Sequence, residues 1–230
     1  MRRCRGFTLV ELLTVMAVSA LMMYILIPVL HSTLSSGRQA KCASNLRQIH
    51  LGFHLYAMDH HGIIAPAFGQ DSDTENWNAD EYYLWPTAIM PYLESKAGGA
   101  AAYGELPQGV FRCPESDLVV QAGANTHYGM NAQINSSRSG YETAGKPLYT
   151  FAMLTEPAKT VLLADSYHPE KPTECVLLIQ PNSEGARWTG FRHNGKANLV
   201  FMDGHVETWA PEDFPTGGNA YTLSPWAAQP

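Results

Sequence analysis

The chain has 230 residues, 45% hydrophobic and 16% charged, which is enough apolar material for a buried core and excludes disordered, collagen-like and coiled-coil classes. Its formal net charge of −6 already counts Arg2, Arg3 and Arg5 at the N-terminal end, so the remainder is more negative still and a poor partner for nucleic acid. Cys4, Cys42, Cys113 and Cys175 form no C-x-x-C pair, which excludes a zinc ribbon or thioredoxin-type motif built from local spacing.

Residues 1–6 are short and basic, and residues 7–30 are apolar except for Thr8, Glu11, Thr14 and Ser19. A helix of about 20 such residues spans a bilayer. Three arginines before it, against only His31, Arg38 and Lys41 soon after it, give a modest charge bias that predicts a cytoplasmic N-terminus and a C-terminal bulk on the far side. A cleavable secretory signal would want small residues after the apolar core, whereas here the polar patch precedes it. Glu11 is the anomaly, because a carboxylate at the centre of an inserted helix costs about 2.5–3.5 kcal/mol, less near its end, and wants a partner.

Gly6-Phe7-Thr8-Leu9-Val10-Glu11 followed by this apolar run resembles the processing site of type IV prepilins. The resemblance implies cleavage after Gly6 by a prepilin peptidase and methylation of the new N-terminus at Phe7. It also implies that Glu11 pairs with the freed amino group of a neighbouring subunit, opposite charges compensating each other in an apolar filament core. Pro28 matches a proline common in such helices and is expected to kink or locally melt the helix.

Beyond Leu30, Leu34, Cys42, Leu46, Ile49, Phe53 and Tyr56 recur at helical spacing with Arg38, Lys41, Arg47 and Gln48 between them. This predicts an amphipathic continuation to about His60, with Gly62 and Pro66 as stop signals and one face packed on a sheet. The acidic segment 70–81 and the Gly-Ala run 98–102 read as surface loops. Strands are expected at 160–164, 175–179, 197–202 and 205–209, the last two joined by Asp203-Gly204, a tight-turn signal that supplies positive φ values. The Pro- and Gly-rich tail from Pro211 reads as an irregular strap.

Cys42-Ala43-Ser44-Asn45-Leu46-Arg47-Gln48-Ile49, Cys113-Pro114, Tyr128-Gly129-Met130-Asn131 and the spacing His193-x9-Asp203-Gly204 are similar to a large bacterial prepilin-like family named for that C-terminal motif. The family blocks that contain Cys42 and Cys113 imply a disulfide between them, which would contribute about 4 kcal/mol by loop-closure arithmetic; two reduced, separately buried cysteines are the alternative. Cys175 is then unpaired and assigned to the core.

Chemistry elsewhere is sparse. His193, Asp203 and His205 surround one hairpin and offer metal-binding atoms, but the turn explains Asp203 and a positioned imidazole explains His193, so they are read as structural and no metal is expected. Calcium is the one cofactor left open by similarity to the major pseudopilins, yet the C-terminal hairpin lacks a run of aspartates. Asp59, His60, His61, Asp165 and Ser166 prompt a search for a Ser-His-Asp arrangement, but there is no G-x-S-x-G elbow and no enzyme is expected. Trp77, Tyr82, Tyr83 and Trp85 either form an exposed ligand surface or cover the sheet.

The expected fold is α+β and type IV pilin-like, a long N-terminal helix packed on an antiparallel sheet with a C-terminal hairpin. Its parts are a leader (1–6), a membrane and filament-core helix (7–30), an amphipathic stem (31–62), a β domain (63–210) and a tail (211–230). The expected role is that of a non-catalytic subunit of a type IV pilus or type II secretion pseudopilus. It would reside in inner-membrane lipid with its body in the periplasm, meet prepilin peptidase, and join other pilin subunits in a periplasmic or extracellular filament. The alternative is a membrane-tethered periplasmic or surface binding module exported with the same signal.

Overall fold

The computed structural model describes residues 8–69, 83–93, 108–117, 119–120, 126–134, 149–168, 174–175, 178–182 and 185–215. It divides into two compact units, Met1–Gly37 and Arg38–Pro230.

Helix α1 runs from Leu9 to Asp59. Its start is specified by Thr8-x-x-Glu11: the Glu11 N–H donates to Thr8 Oγ1 at 3.3 Å, and Glu11 Oε2 accepts from the Thr8 N–H at 2.8 Å and from its hydroxyl at 2.7 Å. This reciprocal capping box satisfies donors that a helix start otherwise leaves open. Within the first unit the hydroxyls of Thr14, Ser19, Thr33 and Ser36 bond back to carbonyls three or four residues earlier, so polar side chains are internally satisfied in an apolar stretch. The large apolar residues from Leu9 to Leu30 are all about half exposed or more, and the segment is long and apolar enough to cross a membrane. Pro28 lies inside the helix, which continues through it in this structure.

In the second unit α1 buries the face Cys42, Leu46, Ile49, Phe53 and Tyr56, as their spacing requires, while Arg38, Lys41, Arg47 and Gln48 are exposed. Leu34 departs from the expectation: it lies before this unit and is exposed. At the C-terminal end His61 and Gly62 take positive φ of 54° and 85°, and the Gly62 N–H reaches the Ala57 carbonyl at 2.7 Å. This is the six-to-one bond of a Schellman ending, here with a histidine in the left-handed position where glycine is usual.

The body is built on a six-stranded sheet. Its strands are β4 (Tyr128–Asn131), β5 (Val161–Asp165), β7 (Leu178–Asn182), β8 (Gly185–Arg187), β9 (Ala197–Phe201) and β10 (Val206–Trp209), in the order β10-β9-β5-β4-β7-β8. The first four neighbours in that order pair antiparallel, as expected, but β4 and β7 pair parallel, so the whole sheet is mixed. Two further two-stranded pairs complete the described strands, β1 (Phe68–Gly69) with β2 (Tyr83–Leu84) and β3 (Val119–Val120) with β6 (Glu174–Cys175).

Both faces of the central strands are buried. On one side Tyr128, Met130, Leu162, Leu163 and Val200 join the α1 face and Trp85 in one core. On the other, Val161, Ala164, Leu199 and Phe201 form a second cluster with Phe214 from just beyond the last strand. Each fully buried Leu, Ile or Phe contributes about 1.5–3 kcal/mol, which makes the α1 face the principal anchor of the helix on the sheet. From Leu163 onward side chains alternate across β5, so Leu163 and Asp165 face the helix while Ala164 faces away; a register shift between Val161 and Leu163 puts Leu162 on the helix side as well.

The β9–β10 hairpin uses the expected Asp203-Gly204 in a different geometry. Only Gly204 has positive φ, at 89°; the Gly204 N–H donates to the Phe201 carbonyl and the Phe201 N–H to that of His205. This is a three-residue loop with glycine in the left-handed position rather than a two-residue turn with two such residues.

Candidate functional site

The first functional region is the start of α1. Gly6 and Phe7 lie outside the described residues; Glu11 is exposed and held by Thr8. The sequence reading gave Glu11 only an intersubunit partner and overlooked the Thr-x-x-Glu signal, which supplies a partner within the chain.

The second is a buried cluster that no local spacing announces. The buried face of α1 brings Cys42 against the sheet, the turn after Gly109–Phe111 brings Cys113, the end of β5 brings Asp165, and the loop before β9 brings His193. One ligand atom from each of the four lies within 4.8 Å of the other three, and all four residues are buried. His193 Nε2 is 3.2 Å from Asp165 Oδ2 and 3.5 Å from Cys113 Sγ, while Cys42 Sγ is 3.4 Å from Asp165 Oδ1. Tyr128, directly opposite Asp165 in the sheet, places its hydroxyl 3.4 Å from Cys42 Sγ. Arg192 Nε stands 3.7 Å from Asp165 Oδ1, and the Asn198 N–H donates to Asp165 Oδ2 at 2.8 Å.

These neighbours set the charges. Burial pushes the Asp165 carboxyl up, but the Arg192 charge, His193 and the Asn198 N–H together hold it below its ordinary range. Burial pushes His193 down, and its bonds to Asp165 and Cys113 outweigh that, raising it to about 9. The hydrogen bond from Cys42 lowers the Cys113 thiol to about 6 against the opposing effect of burial, while burial and the bond to Cys113 push the Cys42 thiol up.

The residues singled out from the sequence fall in different places. Cys42 and Cys113 are brought together, as the expected disulfide requires, and stand as free thiols in this structure. His193 does not share a site with Asp203 and His205: those two pair with each other on the surface, with Glu207 3.4 Å from the other His205 nitrogen. Ser166 bonds the His127 carbonyl rather than entering a Ser-His-Asp arrangement. Trp85 is fully buried and stacks on Phe53 at 5.6 Å between ring centres, so it belongs to the core and not to an exposed ligand surface. Tyr83 pairs through its backbone with Gly69; Trp77 and Tyr82 lie outside the described residues, as does the side chain of Cys175.

The His193-x9-Asp203-Gly204 spacing also acquires a structural reading. It brackets β9, with His193 at one end meeting Cys42 through the cluster and Gly204 at the other end lying under the His50 ring. His50 Nε2 is 3.1 Å from the Met202 carbonyl. Cys42 and His50 are eight residues apart, about 12 Å along a helix, so the two ends of one strand are tied to two points on one helical face. The signal for Asp165 was a lone carboxylate closing the apolar run Val161-Leu162-Leu163-Ala164, and the arginine next to His193 pointed the same way.

Residues 1–27 match a prokaryotic N-terminal methylation motif, and residues 35–101 match a family described as protein of unknown function (DUF1559). No curated protein and no solved structure matches the chain. With the α+β body and the long apolar N-terminal helix, these two matches support a prepilin-like or pseudopilin-like exported protein.

Proposed function

We propose that the chain is a structural, non-catalytic subunit of a type IV pilus or type II secretion pseudopilus, cut after Gly6 by prepilin peptidase, methylated at Phe7, and assembled through its apolar helix. The observation that carries this reading is the methylation-motif match over residues 1–27 with Glu11 set in an otherwise apolar, outward-facing stretch. An unpartnered apolar surface of this extent needs lipid before assembly and the helices of other subunits after it. On this reading the N-terminus is cytoplasmic before processing, the body is periplasmic, and Glu11 pairs with the methylated amine of a neighbour while Thr8 holds the helix start. The binding-module alternative loses Trp85, which lies in the core.

Mass spectrometry of the N-terminal peptide from native membrane or filament fractions tests the reading. A chain beginning at methylated Phe7 is expected; an intact Met1, or a cut beyond Leu30, overturns it.

Glu11→Gln separates the two roles of this residue. Glutamine still accepts from the Thr8 N–H, so circular dichroism in detergent should match wild type, whereas incorporation into filaments should fall on the order of tenfold or more because the buried charge pair is lost. Wild-type incorporation of Glu11→Gln would show that only the cap matters.

A further inference from the structure

We propose that Cys42, Cys113, Asp165 and His193 form a structural site for a tetrahedral divalent metal ion of borderline softness, zinc by its ligand chemistry, that clamps the stem helix to the sheet. The sequence reading expected no metal because it considered His193 with Asp203 and His205; folding gives His193 different companions.

Three observations support the assignment. Two sulfurs, an imidazole nitrogen and a carboxylate oxygen are a donor set that selects zinc over hard cations, which prefer all-oxygen sites. Zn–S lengths near 2.3 Å and Zn–N or Zn–O lengths near 2.0–2.1 Å give a tetrahedron with edges of about 3.3–3.8 Å. The separations of 3.2 Å from His193 Nε2 to Asp165 Oδ2, 3.5 Å from His193 Nε2 to Cys113 Sγ and 3.4 Å from Cys42 Sγ to the other oxygen, Asp165 Oδ1, are close to that size. One ligand atom from each residue lies within 4.8 Å of the other three, so a small contraction onto one carboxylate oxygen completes the tetrahedron.

Charge is the third. Two thiolates and a carboxylate carry three negative charges, and a divalent ion with the Arg192 guanidinium beside Asp165 brings the buried group to neutrality. The surrounding groups already act as an outer layer: the Tyr128 hydroxyl lies on Cys42, Asn45 Nδ2 lies 3.5 Å from that hydroxyl, and the Asn198 N–H fixes Asp165. Metal entry displaces the two thiol protons and any proton shared by His193 and Asp165, leaving four ligands and no open position, which makes the site structural and not catalytic.

The ligands come from four separate stretches of chain, so one ion closes three long loops at once, whereas a Cys42–Cys113 bond would close one. Both outcomes use the same sulfurs and exclude each other, which makes the inference sharp. It does not depend on whether the chain enters a filament.

The test is metal analysis of the full chain, extracted in detergent from the membranes of an exporting host without chelator. About one zinc per chain is expected, with Cys42 and Cys113 alkylated only after unfolding in chelator. Replacing the ion with cobalt(II) should give intense visible bands of a tetrahedral centre and a near-ultraviolet sulfur-to-cobalt charge-transfer band. Cys113→Ser should lose that charge-transfer intensity, while Cys175→Ser retains it. Metal-free protein overturns the proposal, whether non-reduced peptide maps show Cys42 joined to Cys113 or show both as free thiols. Because the cobalt spectrum is read on the unmutated chain, a variant that fails to fold leaves the result intact.

Discussion

Asp165→Ala is expected to lower the unfolding free energy of the body by about 3–5 kcal/mol, the usual cost of removing one member of a buried ionic group. Asp165 is fully buried and its two oxygens serve Arg192, His193, the Asn198 N–H and the Cys42 thiol. Alanine removes the carboxylate that faces the Arg192 guanidinium, whose side chain is only 11% exposed. Asp165→Asn keeps an acceptor for the Asn198 N–H and should lose less. Urea unfolding of the detergent-solubilised chain, in chelator so that no metal contributes, measures both; a change under about 0.5 kcal/mol for the alanine variant would mean that the pocket is open to water and the ionic group is not structural.

Gly204→Ala should cost about 2–4 kcal/mol, combining backbone strain with a steric conflict. The residue has φ of 89°, and a Cβ there would stand 2.8 Å from His50 Cε1 and 2.9 Å from Nδ1. The His50 ring has little freedom to retreat, since it is buried, lies 3.1 Å from the Met202 carbonyl and packs at 4.6 Å on His54. Gly195 supplies the control: its φ is 79° but a Cβ there would meet nothing within 4 Å, so Gly195→Ala should show the backbone cost alone, about 1 kcal/mol. A double-mutant cycle with His50→Ala should recover part of the Gly204→Ala loss. Equal losses at the two glycines, with no recovery in the cycle, would show that the hairpin does not press on the helix.

These two variants probe the opposite ends of β9, and together they give the His193-x9-Asp203-Gly204 spacing a physical meaning. A helix and a strand that must stay in register need fixed points at both ends. One end is the buried polar cluster, the other the glycine turn under His50.

Much of this was legible in the order of residues because its causes are local. The apolar run and Glu11 identify the N-terminal segment, since lipid exposure tolerates few charges. The spacing of Cys42, Leu46, Ile49, Phe53 and Tyr56 marked the buried helix face because side chains three and four apart share one face. The last hairpin followed from alternation around Asp203-Gly204, although its turn took the three-residue form because the loop closes on Met202 as well. Thr8-x-x-Glu11 is equally local, since a hydroxyl three residues before a carboxylate at a helix start is itself a capping signal.

What the sequence by itself determined, then, is the membrane-length helix, its amphipathic continuation and the terminal hairpin, all of which rest on periodicities of a few residues. Only the tertiary structure decided that Trp85 is core, that β4 and β7 run parallel, and that Cys42, Cys113, Asp165 and His193 converge while Asp203 and His205 remain outside. The reason is that the four converging residues lie on a helix, a turn, a strand end and a loop far apart in the chain. Their meeting is set by how the helix docks on the sheet, a choice made by the summed burial of the whole core and written in no short stretch of residues.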